Sequence, residues 1–154
     1  MSPLILGVGN RYRRDDGVGP AVADRLAALG IAVREHSGEG AGLMDTWSGA
    51  ERVIVVDATQ SGAEPGTFVR LDAGTQELPR GLFRYSSHLF GVAEAVEMAR
   101  ALGRLPGDLV IWGIEGAEFG FGEDLTPAVA AAADEVARRI AAETGVGSVT
   151  PPPS

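Results

Sequence analysis

The 154-residue chain is 45% hydrophobic, carries a formal net charge of -8 and has no cysteine. Such a composition builds a globular domain with a substantial core. Its acidity argues against nucleic acid as the main partner, since phosphate binding needs a basic face. Without cysteine there is no disulfide and no thiolate chemistry, so a metal site must draw on His, Asp or Glu. No apolar run approaches the ~20 residues of a membrane span. The N-terminus runs almost directly into a strand pattern, leaving no room for a signal peptide, and the expected location is the cytoplasm.

Leu4 to Val8 is an apolar run of strand length, and Gly7 and Gly9 then allow a tight turn. Arg11, Arg13 and Arg14 follow as a small basic cluster, read as a solvated loop with partner docking as the other use. Asp15 and Asp16 precede a helical pattern marked by Val18, Val22, Leu26 and Leu29, with Gly30 just past its end. Gly7-Val8-Gly9 is not a dinucleotide fingerprint. The third glycine is missing at Tyr12, and two aspartates at the helix start would repel pyrophosphate. The bland alternative is that Asp15 and Asp16 cap the helix and complement its dipole.

Ile31 to Arg34 is a short strand candidate, and residues 36–42 form a second Gly-rich, flexible loop. Leu43, Met44 and Trp47 fall at helical spacing before Gly49. Val53 to Val56 are four β-branched residues in a row, apolar on both faces, which marks a central strand ended by Asp57. Residues 67–71 read as a short strand at an edge or antiparallel, and 72–85 as an irregular excursion. Ser87 is the expected N-cap of a helix with His88 in its first turn and Leu89, Val92, Val96, Ala99 and Leu102 on its buried face. Leu109 to Ile114 is the third strong strand, ended by Glu115. Thr126-Pro127 opens the last helix, with Asp134–Arg138 and Glu135–Arg139 as outward pairs.

Strands alternating with helices predict an α/β fold: a single three-layer α/β/α domain with a mostly parallel twisted sheet. Residues 1–145 would form this one catalytic domain and 146–154 a disordered Pro-rich tail. Strands 3–8, 52–57 and 109–114 are expected to be adjacent and parallel. Open α/β sheets keep their sites at the carboxyl edge of the strands, where Asp16, Asp57 and His88 would meet. Two carboxylates and an imidazole are a competent ligand set for a borderline divalent metal. A helix N-terminus would hold the imidazole neutral, as a ligand must be. The competing reading is that Asp57 and His88 are caps only.

Gly7-Val8-Gly9-Asn10, Asp15-Asp16-Gly17-Val18-Gly19, Val55-Val56-Asp57-Ala58, Pro65-Gly66-Thr67, Ser87-His88 and Gly113-Ile114-Glu115 occur in this order over roughly residues 4–140. As a set they resemble the hydrogenase maturation endopeptidases. The resemblance implies removal of a short C-terminal peptide from the precursor of a [NiFe]-hydrogenase large subunit after nickel has been inserted. It implies that nickel supplied by the precursor is the recognition element, and that Asp16, Asp57 and His88 are the metal-contacting and catalytic residues. Gly38, Glu39 and Gly40 stand where the family's substrate-specificity loop lies, though they depart from its commoner Asp-Gly-Gly-Thr form, and Asn10 is expected with them on the rim of one open cleft. Glu115-Gly116-Ala117 departs from the family's usual pattern. With only three ligands and no cysteine, the protein is expected to hold no tightly bound metal of its own and to bind nickel or zinc weakly; a monomer is expected. Peptidyl-tRNA hydrolase shares the opening Gly-x-Gly-Asn but needs a basic face for tRNA. A non-catalytic chaperone that senses nickel would use the same residues.

Overall fold

The computed structural model describes residues 2–79, 81–83 and 90–145. Among these, five strands, β1 (Leu4–Val8), β2 (Arg34–His36), β3 (Arg52–Thr59), β4 (Phe68–Asp72) and β5 (Asp108–Glu115), form one sheet in the order β2-β1-β3-β5-β4. β2, β1, β3 and β5 run parallel, and β4 is antiparallel on β5 at the edge. The three apolar runs read from the sequence are therefore adjacent and parallel at the centre.

Both faces of the sheet are covered, which is why its central strands are apolar on both sides. Helices α1 (Val18–Ala28) and α4 (Pro127–Thr144) bury Val22, Leu26, Val136 and Ile140 against Ile5, Ile54, Val56 and Ile114. Helices α2 (Gly40–Trp47) and α3 (Val92–Ala101) bury Leu43, Trp47, Val96 and Ala99 against Leu6, Val8, Val55 and Ile111. Strand side chains alternate between faces. Asp57 therefore follows Val53 and Val55 onto the α2/α3 side, as Glu115 follows Ile111.

Gly7 lies inside β1 rather than in the turn after it, and packing explains it. A Cβ there would strike the backbone of Gly19 in α1, and a Cβ on Gly19 would lie 2.6 Å from Val8 N and 2.7 Å from Val56 O. Two glycines thus let the first turn of α1 rest directly on β1 and β3. Gly9 supplies the turn itself, with φ +145° and no room for a Cβ beside the Asp16 carbonyl.

Several local expectations need correction. β2 begins at Arg34, with Ile31 buried in the core ahead of it. The 38–42 stretch is not one loop, because α2 already begins at Gly40. α3 begins at Val92, later than expected, with Gly91 as N-cap and its N–H bonded to the Glu94 carboxylate at 2.9 Å. Ser87, His88 and Leu89 lie outside the described residues, as does the 146–154 tail. Leu29 and Leu102 are exposed rather than inward. Asp134 pairs with Arg25 of α1, leaving Glu135 to hold both Arg138 and Arg139.

Candidate active site at the carboxyl edge of the sheet

The loop after β1 folds back through a short 3-10 turn, Arg14–Gly17, before entering α1. Neither aspartate of this turn caps α1, whose N-cap is Gly17 with no side-chain bond. The two carboxylates go in different directions. Asp16 is partly exposed, and the Asn10 N–H donates to its Oδ2 at 3.1 Å and to its carbonyl at 3.2 Å. Asn10 in turn accepts from Tyr12 N–H at 2.9 Å through its side-chain oxygen, so the residue expected on the cleft rim also orders the turn that carries Asp16.

Asp57 lies at the carboxyl end of β3, paired in register with Gly113 of β5. Burial holds its carboxyl well above the usual carboxylate range, and the negative charge of Asp16 pushes the same way. The hydrogen bond from Ala58 N–H to Oδ1, 2.8 Å, opposes both. Asp16 and Asp57, 41 positions apart in the chain, thus face one another electrostatically where β1 and β3 end. A cation placed beside the pair would oppose that shift, because opposite charge favours the carboxylate form.

On the neighbouring side, the 36–42 segment is built as a cap. The Glu39 carboxylate accepts from Ala41 and Gly42 N–H at 2.9 and 2.8 Å, and His36 Nδ1 accepts from Gly38 N–H at 2.9 Å. Gly40 donates its N–H to Phe90 O at 2.7 Å, and a Cβ on Gly40 would run into the Phe90 ring. Phe90, the first described residue after His88, is therefore docked on the N-terminus of α2 at this same edge. An open cleft of about 460 Å³ is lined by Gly9, Asn10, Arg11, Tyr12, Glu35, His36 and Ser37. Asn10 is on its wall, whereas Asp16, Asp57 and residues 38–42 are not among its lining. Among the described residues no three His, Asp or Glu converge as a metal-binding group, and His88 is outside them.

Two further acids have structural duties that the sequence did not reveal. Asp15 is fully buried, and its carboxylate accepts from Ala117 N–H (2.8 Å), Glu118 N–H (3.0 Å), Thr126 N–H (2.8 Å) and the Thr126 hydroxyl (2.8 Å). Burial works against its charge, but the bonds from Glu118, Thr126 and Ala117 prevail and hold its carboxyl below the usual range. Asp15 thereby fastens the 116–126 loop and the start of α4 to the turn that carries Asp16. Glu115, also buried, accepts from Thr59 and Ser61 hydroxyls (both 2.7 Å) and from Ser61 and Gly62 N–H groups, and so shapes the chain leaving β3 after Asp57. The only signal for either role was an acid next to an apolar strand or helix. Within the basic cluster Arg11 is engaged at the surface by Asp24 and Glu35, and the Arg14 backbone N–H bonds Gly122 O at 2.8 Å.

A family model described as hydrogenase maturation protease matches residues 38–143. The hydrogenase expression/formation protein HupD of Bradyrhizobium diazoefficiens is 33% identical over 156 residues, covering 93% of this chain and 79% of that protein. The HupD protein of Rhodobacter capsulatus is 32% identical over 85% of this chain. The chain spans 65% of the length of the Rhodobacter capsulatus protein and 60% of that of its Thiocapsa roseopersicina counterpart. Among solved structures, the [NiFe] hydrogenase maturation protease HybD from Thermococcus kodakarensis aligns with a TM-score of 0.72 at 26% identity, over 94% of this chain and 99% of that one. The hydrogenase maturating endopeptidase HybD from E. coli shares the fold, with a TM-score of 0.68 at 23% identity over 93% of this chain and 91% of that one. With the family model covering more than half of its length, the chain belongs to the hydrogenase maturation protease family.

Proposed function

We propose that this chain is an endopeptidase that removes a short C-terminal peptide from the nickel-loaded precursor of a [NiFe]-hydrogenase large subunit. The observation that carries the reading is the carboxylate pair at the sheet edge, where burial and the charge of Asp16 both raise the Asp57 pKa and the Asn10 N–H holds the Asp16 carboxylate at 3.1 Å. Such a pair is costly to a fold unless it serves a cation. The nickel arrives as part of the substrate, and Asp16, Asp57 and His88 contact it and carry the catalysis. His88 contributes a neutral imidazole, the usual nitrogen donor to a borderline metal. Nickel held between precursor and protease would polarise the scissile carbonyl or activate a water beside it. Asn10 and the 38–40 segment contact the precursor around that point. Residues 1–145 act as one catalytic domain, as a monomer in the cytoplasm, with no tightly bound metal of its own.

The relatives, hydrogenase expression/formation proteins and a [NiFe] hydrogenase maturation protease, support the same substrate class. The test is incubation of the purified chain with nickel-loaded precursor, followed by intact-mass measurement of the large subunit. Loss of a discrete C-terminal fragment is expected. A precursor that binds but keeps its full mass would instead make the protein a non-catalytic nickel sensor.

A further inference from the structure

Beside the carboxylate pair lies a surface that the fold does not use for its own stability. Tyr12 is 64% exposed and Phe121 85%, the two most exposed large hydrophobic residues among those described. They come from the loop after β1 and from the 116–124 loop, and the two loops are sewn together. Gly122 N–H donates to Tyr12 O (3.0 Å), Arg14 N–H to Gly122 O (2.8 Å) and Asp15 N–H to Glu118 O (2.8 Å), with the buried Asp15 carboxylate clamping the same loop from below. The Arg13 guanidinium lies 4.7 Å from the centre of the Phe121 ring. Exposed aromatics on a mobile loop would be unremarkable. Here the backbone that carries them is fastened, which lowers the cost of ordering the loops on a partner.

We propose that Tyr12, Arg13 and Phe121 form the docking face for the body of the hydrogenase large-subunit precursor, a refinement that rests on the endopeptidase reading above. Three observations select this occupant. Tyr12 also lines the open cleft, so the platform is continuous with the wall that Asn10 forms beside Asp16. A protein resting on it could reach along the cleft wall to Asn10, whose N–H holds Asp16. Aromatic residues and arginine are the side chains that most often anchor protein interfaces. Charge gives the third: on a chain of net charge -8, Arg11, Arg25, Arg70, Arg138 and Arg139 are each paired with acids of the chain itself. Arg13, like Arg14, Arg34 and Arg104, makes no ion pair with a described residue, and it presents its charge over the exposed Phe121 ring. The matching surface is apolar with a carboxylate at its edge, which a second copy of this chain would meet with overall repulsion.

The experiment uses the full chain with Phe121→Ala and Arg13→Glu substitutions, and Met98→Ala on the far side of the sheet as control. Cleavage of nickel-loaded precursor gives KM and kcat, and calorimetric titration of precursor into protein gives affinity whether or not cleavage occurs. Both platform variants are expected to raise KM and weaken affinity about tenfold or more, with kcat kept and the thermal midpoint unchanged. Met98→Ala should change nothing. Wild-type protein that cleaves while both variants keep KM would overturn the docking face and leave the endopeptidase reading standing. Wild-type protein that binds without cleaving would defeat the endopeptidase reading, and the affinities of the variants would then decide the docking face. Absence of both binding and cleavage, or a wild-type dimer broken by Phe121→Ala, would overturn the proposal.

Discussion

The Asp15 carboxylate collects four hydrogen bonds in a buried site, while its neighbour Asp16 is partly exposed and takes the Asn10 N–H on its carboxylate; burial and the Asp16 charge in turn raise the pKa of Asp57. Their consequences for stability have opposite signs. The folded state depresses the Asp15 pKa, so its contribution is present above the unfolded value of 3.8 and is lost as pH falls through the folded one. Asp15→Asn places an amide donor against N–H groups and should cost about 3 kcal/mol at pH 7. It should also flatten the acid limb of a stability-versus-pH curve, read by denaturant melts between pH 2 and 7. The folded state raises the Asp57 pKa, so the folded chain keeps a proton that the unfolded chain releases near 3.8, and a stability penalty grows as pH rises from there. Asp57→Asn removes that penalty, keeps an oxygen for the Ala58 N–H, and should stabilise the protein by about 0.5–2 kcal/mol at pH 7. Near pH 3 the two proteins should melt together.

At the scale of elements, the contact between α1 and the sheet is what brings Asp16 over the end of β3. Gly19 sits inside α1, where Gly→Ala ordinarily gains close to 1 kcal/mol of helix propensity. Here a methyl would meet Val8 N at 2.6 Å and Val56 O at 2.7 Å. Gly19→Ala should therefore destabilise by about 2–4 kcal/mol and reduce precursor processing together with stability, as a chemical melt and a cleavage assay on one sample would show. The strands beneath were legible in the sequence because burial on both faces leaves an unbroken β-branched run, as in Val53–Val56. β2 was placed too early because only three residues pair, and their exposed side chains carry no alternating pattern. The start of α3 was placed too early because Ser87 is a good cap by type, whereas the bond that sets the end is Glu94 reaching back to Gly91 N–H.

Across the whole molecule, the site depends on contacts that no local pattern encodes. Asp15 reaches partners 102 to 111 positions away, and Glu115 reaches back more than 50 positions to the chain after Asp57. Spacing could suggest that Asp16 and Asp57 converge, since both follow strands of one parallel sheet, but it could not separate the buried acid of the Asp15-Asp16 pair from the open one. In the proposed reading Asp16 and Asp57 meet a nickel that the substrate brings, while Asp15 serves the fold alone. The purified chain should keep its melting temperature on chelation and bind added nickel weakly, which calorimetry with and without a chelator would establish.

The most direct measurement compares nickel-loaded and nickel-free precursor, each incubated with the wild-type chain and with folded Asp57→Asn and His88→Ala variants, by intact mass of the large subunit. The account predicts that only the pairing of wild-type protein with nickel-loaded precursor yields the shortened subunit. A nickel-free precursor cut at the same rate, or either variant cutting normally, would contradict it.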